Sequence, residues 1–212
     1  KGGNLQIMQD INNQYTRAIN AIAKGGKFTA AEAEAEILNA EQYKNIVEKY
    51  AGHSRNYLKD GINAMNTAIL QGGVFVFLKE NMDTEHPVYM YNIMDARSSN
   101  VFAQPRSLIY LSPHARLQIV ETYITIGPSD SFSNQVMEVV TKQDAQLEYY
   151  KIQNDSAQTN AVSTTHIIQA ERGYAHTVTI SLNGGIVRNN LDFIMAADHG
   201  ESHMYGLYFL HG

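Results

Sequence analysis

The sequence predicts a mainly β protein, a β-solenoid preceded by an N-terminal α-helical segment. Three observations predict it. The apolar period changes from about 3.6 to about 2 at Val74. Short segments rich in β-branched and aromatic residues follow, separated by Gly, Pro, Asn, Asp or Ser. Similar blocks then return at a step of 30 residues.

Residues 5–22 carry a helical stripe of Met8, Ile11, Tyr15, Ala18, Ile19 and Ile22, which Gly25-Gly26 ends. Thr29 and Glu32 form a T-x-x-E capping box for a second helix. Its body runs through an Ala/Glu-rich stretch, a solvated face, to Tyr50, with Gly52 as C-cap. A third helix is predicted from Gly61 to Leu70, with Ile62, Met65 and Ile69 on one face. Gly72-Gly73 breaks it. The expected division is a helical region over 1–72 and a β region over 73–212.

Strands are predicted at Val74–Leu78, Val88–Met94, Ser107–Leu111, Arg116–Tyr123, Gln135–Val140 and Gln146–Ile152. Thr164–Gln169, His176–Leu182, Val187–Ala196 and His203–Leu210 complete the set. The block Ala115-Arg116-Leu117-Gln118-Ile119 returns as Ala145-Gln146-Leu147-Glu148-Tyr149 and again as Ala175-His176-Thr177-Val178-Thr179, each after a turn. Leu108, Gln135 and Thr164 keep rough step with them, and a further unit from Gly200 to Leu210 arrives early. A two-strand unit of this length buries its inward face by stacking on its neighbours. A β-sandwich of meandering strands is the alternative that periodicity leaves open.

Composition narrows function. Apolar residues make up 44% and charged residues 17%, as in an ordinary folded chain, and net charge −5 argues against a nucleic-acid partner, which selects a basic face. With no cysteine there is no disulfide, no thiolate ligand and no thiol nucleophile in this chain, which fits a reducing cytoplasm. No apolar run reaches the ~18–20 residues of a membrane span, and Lys1-Gly2-Gly3-Asn4 shows no signal-peptide core. The expected localisation is therefore cytoplasmic. The start at Lys1 instead of Met points to a longer natural chain.

The densest chemistry lies in Asp198-His199-Gly200-Glu201-Ser202-His203. His199, Glu201 and His203 are the candidate metal ligands, with His211 nearby. H-x-x-x-H chelates zinc when a helix brings both rings to one face, but in strand-like surroundings the pair is spread over more than ~10 Å. A polar turn is the favoured reading. Gly184-Gly185 precedes Arg188, Asn189 and Asn190. A phosphate cradle there would need a helix, whereas a strand follows, so these positions read as structural corner residues. His166 and His176 read as inward, hydrogen-bonded imidazoles. Tyr149, Tyr150, Tyr205, Tyr208 and Phe209 read as packing aromatics, and neither Ser163 nor Ser181 has a nucleophile-elbow context. No catalytic or cofactor-binding residue is assigned. A β-helix carbohydrate-active enzyme would show clustered acids on one coil face, and none recurs. A structural solenoid that polymerises end to end is the other competitor.

Asp60–Ala68, and then the order Arg172-Gly173, Ile180-Ser181-Leu182-Asn183-Gly184-Gly185, Val187-Arg188-Asn189-Asn190-Leu191 and Gly206–Gly212, resemble the SufB/SufD family of iron–sulfur cluster assembly proteins, on its SufD side. The resemblance covers roughly 55–212. It implies a right-handed parallel β-helix and a non-enzymatic scaffold that pairs with a SufB-like paralogue and a SufC-like ATPase. A homodimer is the other association left open. In that family the complex handles the iron–sulfur cluster and iron entry, and the resemblance implies no cofactor held by this chain. The family's histidine- and cysteine-bearing interface lies past Gly212, so no functional residue carries over, and the natural chain is expected to continue there. Unpaired N–H and C=O groups at open sheet edges suit such pairing physically.

Overall fold

The structure is a computed structural model that describes residues 40–209, with side chains described from Tyr43 onward. The predicted helix over 5–22, the Thr29/Glu32 capping box and His211 lie outside the described residues. Helix α1 (Ala40–Tyr50) is followed by a 3-10 turn (His53–Asn56) and helix α2 (Gly61–Ala68). Gly52 ends the α1 segment at φ 81°, the left-handed conformation that glycine adopts without steric cost. Asp60 caps α2, its carboxylate accepting the Asn63 amide at 2.9 Å.

Strands β1 (Phe75–Leu78), β2 (Val88–Asp95), β3 (Val101–Ala103), β4 (Arg106–Leu111), β5 (Arg116–Ile126) and β6 (Ser131–Thr141) follow. The chain then runs through β7 (Gln146–Asn154), β8 (Thr159–Gln169), β9 (Tyr174–Asn183), β10 (Val187–Met195) and β11 (Glu201–Tyr208). They alternate between two sheets, except that β3 and β4 follow one another in the same sheet. One has the order β1-β4-β6-β8-β10, with β3 also on β6; the other has the order β2-β5-β7-β9-β11. Every pairing between these strands is parallel, which sets the antiparallel sandwich aside. The result is a parallel β-solenoid of about four turns.

The coil step is not constant. In the first sheet it falls from 33 residues (Phe75 to Leu108) through 30 (Arg106 to Val136) and 28 (Ser131 to Thr159) to 26 (Ala161 to Val187). In the second it falls from 31 (Val88 to Ile119) through 30 and 28 to 27 (Tyr174 to Glu201). The three alanines are therefore not one column. Ala175 lies opposite Leu147, because that coil is two residues shorter than the sequence repeat suggested. Leu108 likewise pairs with Glu138, and Gln135 with Ser163.

Where the chain turns from the first sheet into the second, a left-handed residue recurs in each coil. These are Asn81, His114, Asp144, Arg172 and His199, at φ between 52° and 61°. The amides of Asn81, His114, Asp144 and Arg172 each donate to a carbonyl one coil further on, at 3.0–3.1 Å.

The space between the sheets divides lengthwise. Beside the left-handed corner it is apolar, filled by Leu78, Ile109, Leu111, Leu117, Ile119, Val139, Leu147 and Ile167. Beside the opposite corner it is buried but polar, with Ser133, Gln135, Glu121, Lys151, Gln153, Asp155 and Ser163. The outer faces differ too. The helices and 3-10 turn cover the first sheet, whereas Tyr89, Tyr91 and Ile93 on the outside of the second are exposed.

Candidate functional site

Two buried polar assemblies dominate, one between the helical cap and the first sheet and one inside the solenoid. The first is built on Arg106 of β4 and Glu138 of β6, on neighbouring strands and facing outward under the cap. Arg106 donates through Nε and Nη2 to the two oxygens of Glu138, at 3.0 and 2.7 Å. The same carboxylate accepts the amides of Gly52 and Ser54, at 2.7 and 2.8 Å. The remaining guanidinium protons reach Asn66 Oδ1, Thr67 Oγ1 and Ser54 Oγ, at 3.1, 3.1 and 2.7 Å. Asn66 then donates to the carbonyls of Pro105 and Asn134, and Asn134 donates back to Ile62 O. Burial pushes the Glu138 carboxyl up, but the Arg106 hydrogen bonds and charge outweigh it and hold the group below its ordinary value. A buried carboxylate with this many donors is satisfied, and it ties the cap to the strands.

Inside the solenoid, Glu121 of β5 accepts from Tyr123, Tyr149 and Asn92 Nδ2, the last at 3.0 Å. Lys151 of β7 donates to Ser163 of β8, and its Nζ lies 5.0 Å from the Tyr123 ring centre. Asp155 accepts from Thr125 and Gln153, at 2.8 and 3.0 Å. Burial pulls the Lys151 ammonium down to about 8, against the pull of Glu121 and Asp155. Burial and the Glu121 charge push Tyr123 and Tyr149 well above the ordinary phenol value. The hydrogen bonds form three groups, around Glu121, Lys151 and Asp155, stacked inside the solenoid.

The residues singled out from sequence fall elsewhere. His199 occupies a left-handed corner, while Glu201 and His203 lie on β11 with His203 Nε2 2.6 Å from Glu201 Oε1. His203 stands one strand above His176, with ring centres 6.3 Å apart. Among the described residues no group of three His, Asp or Glu side chains is arranged to hold a metal ion. Gly184, at φ 151°, and Gly185 form the turn between β9 and β10. A Cβ on Gly185 would meet Asn160 Oδ1 at 2.8 Å. Arg188, Asn189 and Asn190 lie within β10 and not at a corner. Arg188 Nε donates to Asn190 Oδ1 at 2.9 Å, and Asn189 Nδ2 reaches Ser181 Oγ at 3.2 Å.

His166 corrects its expectation. It points out of the solenoid into the cap seam, is fully buried, and neither ring nitrogen has a hydrogen-bond partner among the described residues. The packing reading holds for Tyr149, which is buried between the sheets, whereas Tyr205 and Tyr208 are exposed.

The sequence reading missed Arg106, Glu138, Glu121 and Lys151. For two of them a signal existed: Glu121 shares the period-two phase of Leu117 and Ile119, and Lys151 that of Leu147 and Tyr149.

Two family models match the chain. That of the SufBD core domain of the SUF iron–sulfur assembly system covers residues 93–212, and that of the SufBD N-terminal region covers 8–90. The chain belongs to the SufB/SufD family. Among curated relatives, the iron–sulfur cluster assembly protein SufD of Bacillus subtilis (strain 168) is 29% identical over 56% of this chain and 27% of its own length. A SufBD-family iron–sulfur cluster assembly protein of Synechocystis sp. is 22% identical over 82% of this chain and 42% of its own length. The chain thus spans less than half the length of these relatives. The N-terminal match ends at residue 90 and the core match begins at residue 93, both inside β2. No helix among the described residues is long and apolar enough to cross a membrane.

Proposed function

We propose that this chain is a non-catalytic scaffold subunit in SUF-type iron–sulfur cluster assembly, working beside a SufB-like paralogue and a SufC-like ATPase in the cytoplasm. The cluster and the incoming iron are cargo of the complex and not cofactors of this chain. One observation carries the reading: the family core match over 93–212 lies on a stiff parallel solenoid whose buried charges are spent on internal partners. A ladder of this kind holds an interface in place without offering a reacting group of its own. The test is co-purification: the chain with its natural continuation is co-expressed with candidate SufB-like and SufC-like proteins from the same genome. Recovery of a stable complex containing an ATPase supports the reading. A lone monomer, with partners that assemble normally without it, overturns it.

A further inference from the structure

We propose that the helical cap is a proton-released latch: charging the buried His166, packed against His53, lifts the cap from the first sheet and uncovers an aromatic ledge. His53 sits in the 3-10 turn of the cap and His166 on the outer face of β8. Their ring centres are 5.2 Å apart, and both residues are buried, at 7% and 0% exposure. His53 Nδ1 lies 2.5 Å from the Tyr50 carbonyl, which can only accept, so that nitrogen carries the proton and Nε2 is left with a lone pair. Among the described residues, His53 Nε2 and both nitrogens of His166 find no hydrogen-bond partner. A neutral imidazole tolerates such a place at modest cost, whereas an imidazolium with an unanswered N–H does not.

Among the described residues the groups around His166 offer little relief: of His53, Arg106 and Glu138, Glu138 alone favours the charged ring. From the cap it faces His53 and the Tyr57 ring, at 5.1 Å. On its own sheet it is flanked in register by Glu138 of β6 and Asp192 of β10. The Glu138 carboxylate is already taken by Arg106, Gly52 and Ser54, and the Arg106 charge repels a second cation. Burial first, then Asp60, raises the Asp192 carboxyl, which makes it a poorer counter-charge. Burial, His53 and Arg106 together hold His166 down to about 4, against the pull of Glu138. Free imidazole titrates near ~6.5, so docking is at full strength above that pH and weakens as pH falls toward about 4. The Arg106 hydrogen bonds and charge hold the Glu138 carboxyl below its ordinary value, which disfavours loss of the Arg106 pair as the trigger. Lifting the cap would uncover Phe75, Phe77 and Tyr110, which now lie under Tyr43 and Tyr50.

The amides of Gly52 and Ser54 report the latch directly, because each donates across the seam to Glu138. Hydrogen–deuterium exchange on the 212-residue chain, corrected for intrinsic rates, is compared at about pH 7.5 and about pH 5. The expected result is a rise of roughly tenfold or more in the opening constant of these two amides at the lower pH. The amides of β6 and β8 hold, and His166→Phe flattens the response. An NMR titration of the His166 ring in the unaltered chain needs no variant, and should give a value well below that of free imidazole. Any of four results overturns the latch: protected Gly52 and Ser54 amides at the lower pH, the same response in His166→Phe, cap and strands opening together, or a His166 that titrates like a free imidazole.

Discussion

Arg106–Glu138 in the seam and Arg172–Asp144 at the solenoid corner are nearly the same object in geometry. Each arginine donates through Nε and Nη2 to both oxygens of a carboxylate, at 3.0 and 2.7 Å in the first pair and 2.7 and 2.9 Å in the second. Their surroundings are opposite. The seam side chains are 5% and 1% exposed, and the corner pair 44% and 27%. At the corner, water competes for each group and salt screens the pair. In the seam the carboxylate also holds two amides of the cap, so the charges are tied to the docking of a whole element. Burial, and what else depends on each charge, decide what equal geometry is worth.

The largest effect should come from removing one buried partner. Glu138→Ala strands the Arg106 guanidinium and the Gly52 and Ser54 amides, and should cost about 3–5 kcal/mol in urea unfolding. A loss below about 1 kcal/mol would mean that water enters the seam and that the contrast with the corner is false. A double replacement, Arg106→Met with Glu138→Leu, sharpens the contrast. Swapping a buried pair for apolar residues is often nearly neutral. Here the cap groups that relied on it stay unpaired, so the double variant should remain about 2 kcal/mol or more below the parent. Full recovery would show that the cap finds other partners. The smallest effect is expected at the corner: Asp144→Asn should leave the denaturation midpoint within its scatter, at low salt and at high. A clear shift at low salt that vanishes at high salt would show the corner column acting as a coupled network.

Much of the architecture was legible because it is written in short-range periodicity. The change of period at Val74, the helix at Gly61 and the glycine at the end of α1 all stand where propensity and pattern put them. The coil register was legible only in part. A repeat of similar residues shows that coils stack, but where each residue lands depends on how many residues each corner consumes, and that number drifts. The buried charges were the harder case. Arg106 and Glu138 lie on a face that an isolated sheet would show to water; only the cap makes it interior, and contacts across 84 and 86 residues leave no local trace. Glu121 and Lys151 did have a trace in their phase, but a charged residue reads as outward until its partners are known. His166 was legible as buried and not as unpartnered, because the seam it faces belongs to a distant segment.

The drift in coil length, from 33 residues to 26 along the first sheet, has a kinetic side. Equal coils would let a folding chain pair with the wrong neighbour and keep most of its hydrogen bonds, as identical repeats do when they slip by one unit. Coils of unequal length forbid this. A frame shifted by one coil would have to loop out or absorb two or three residues at successive corners. The taper thus acts as a vernier: each coil carries its own count, and the stack has one way to close.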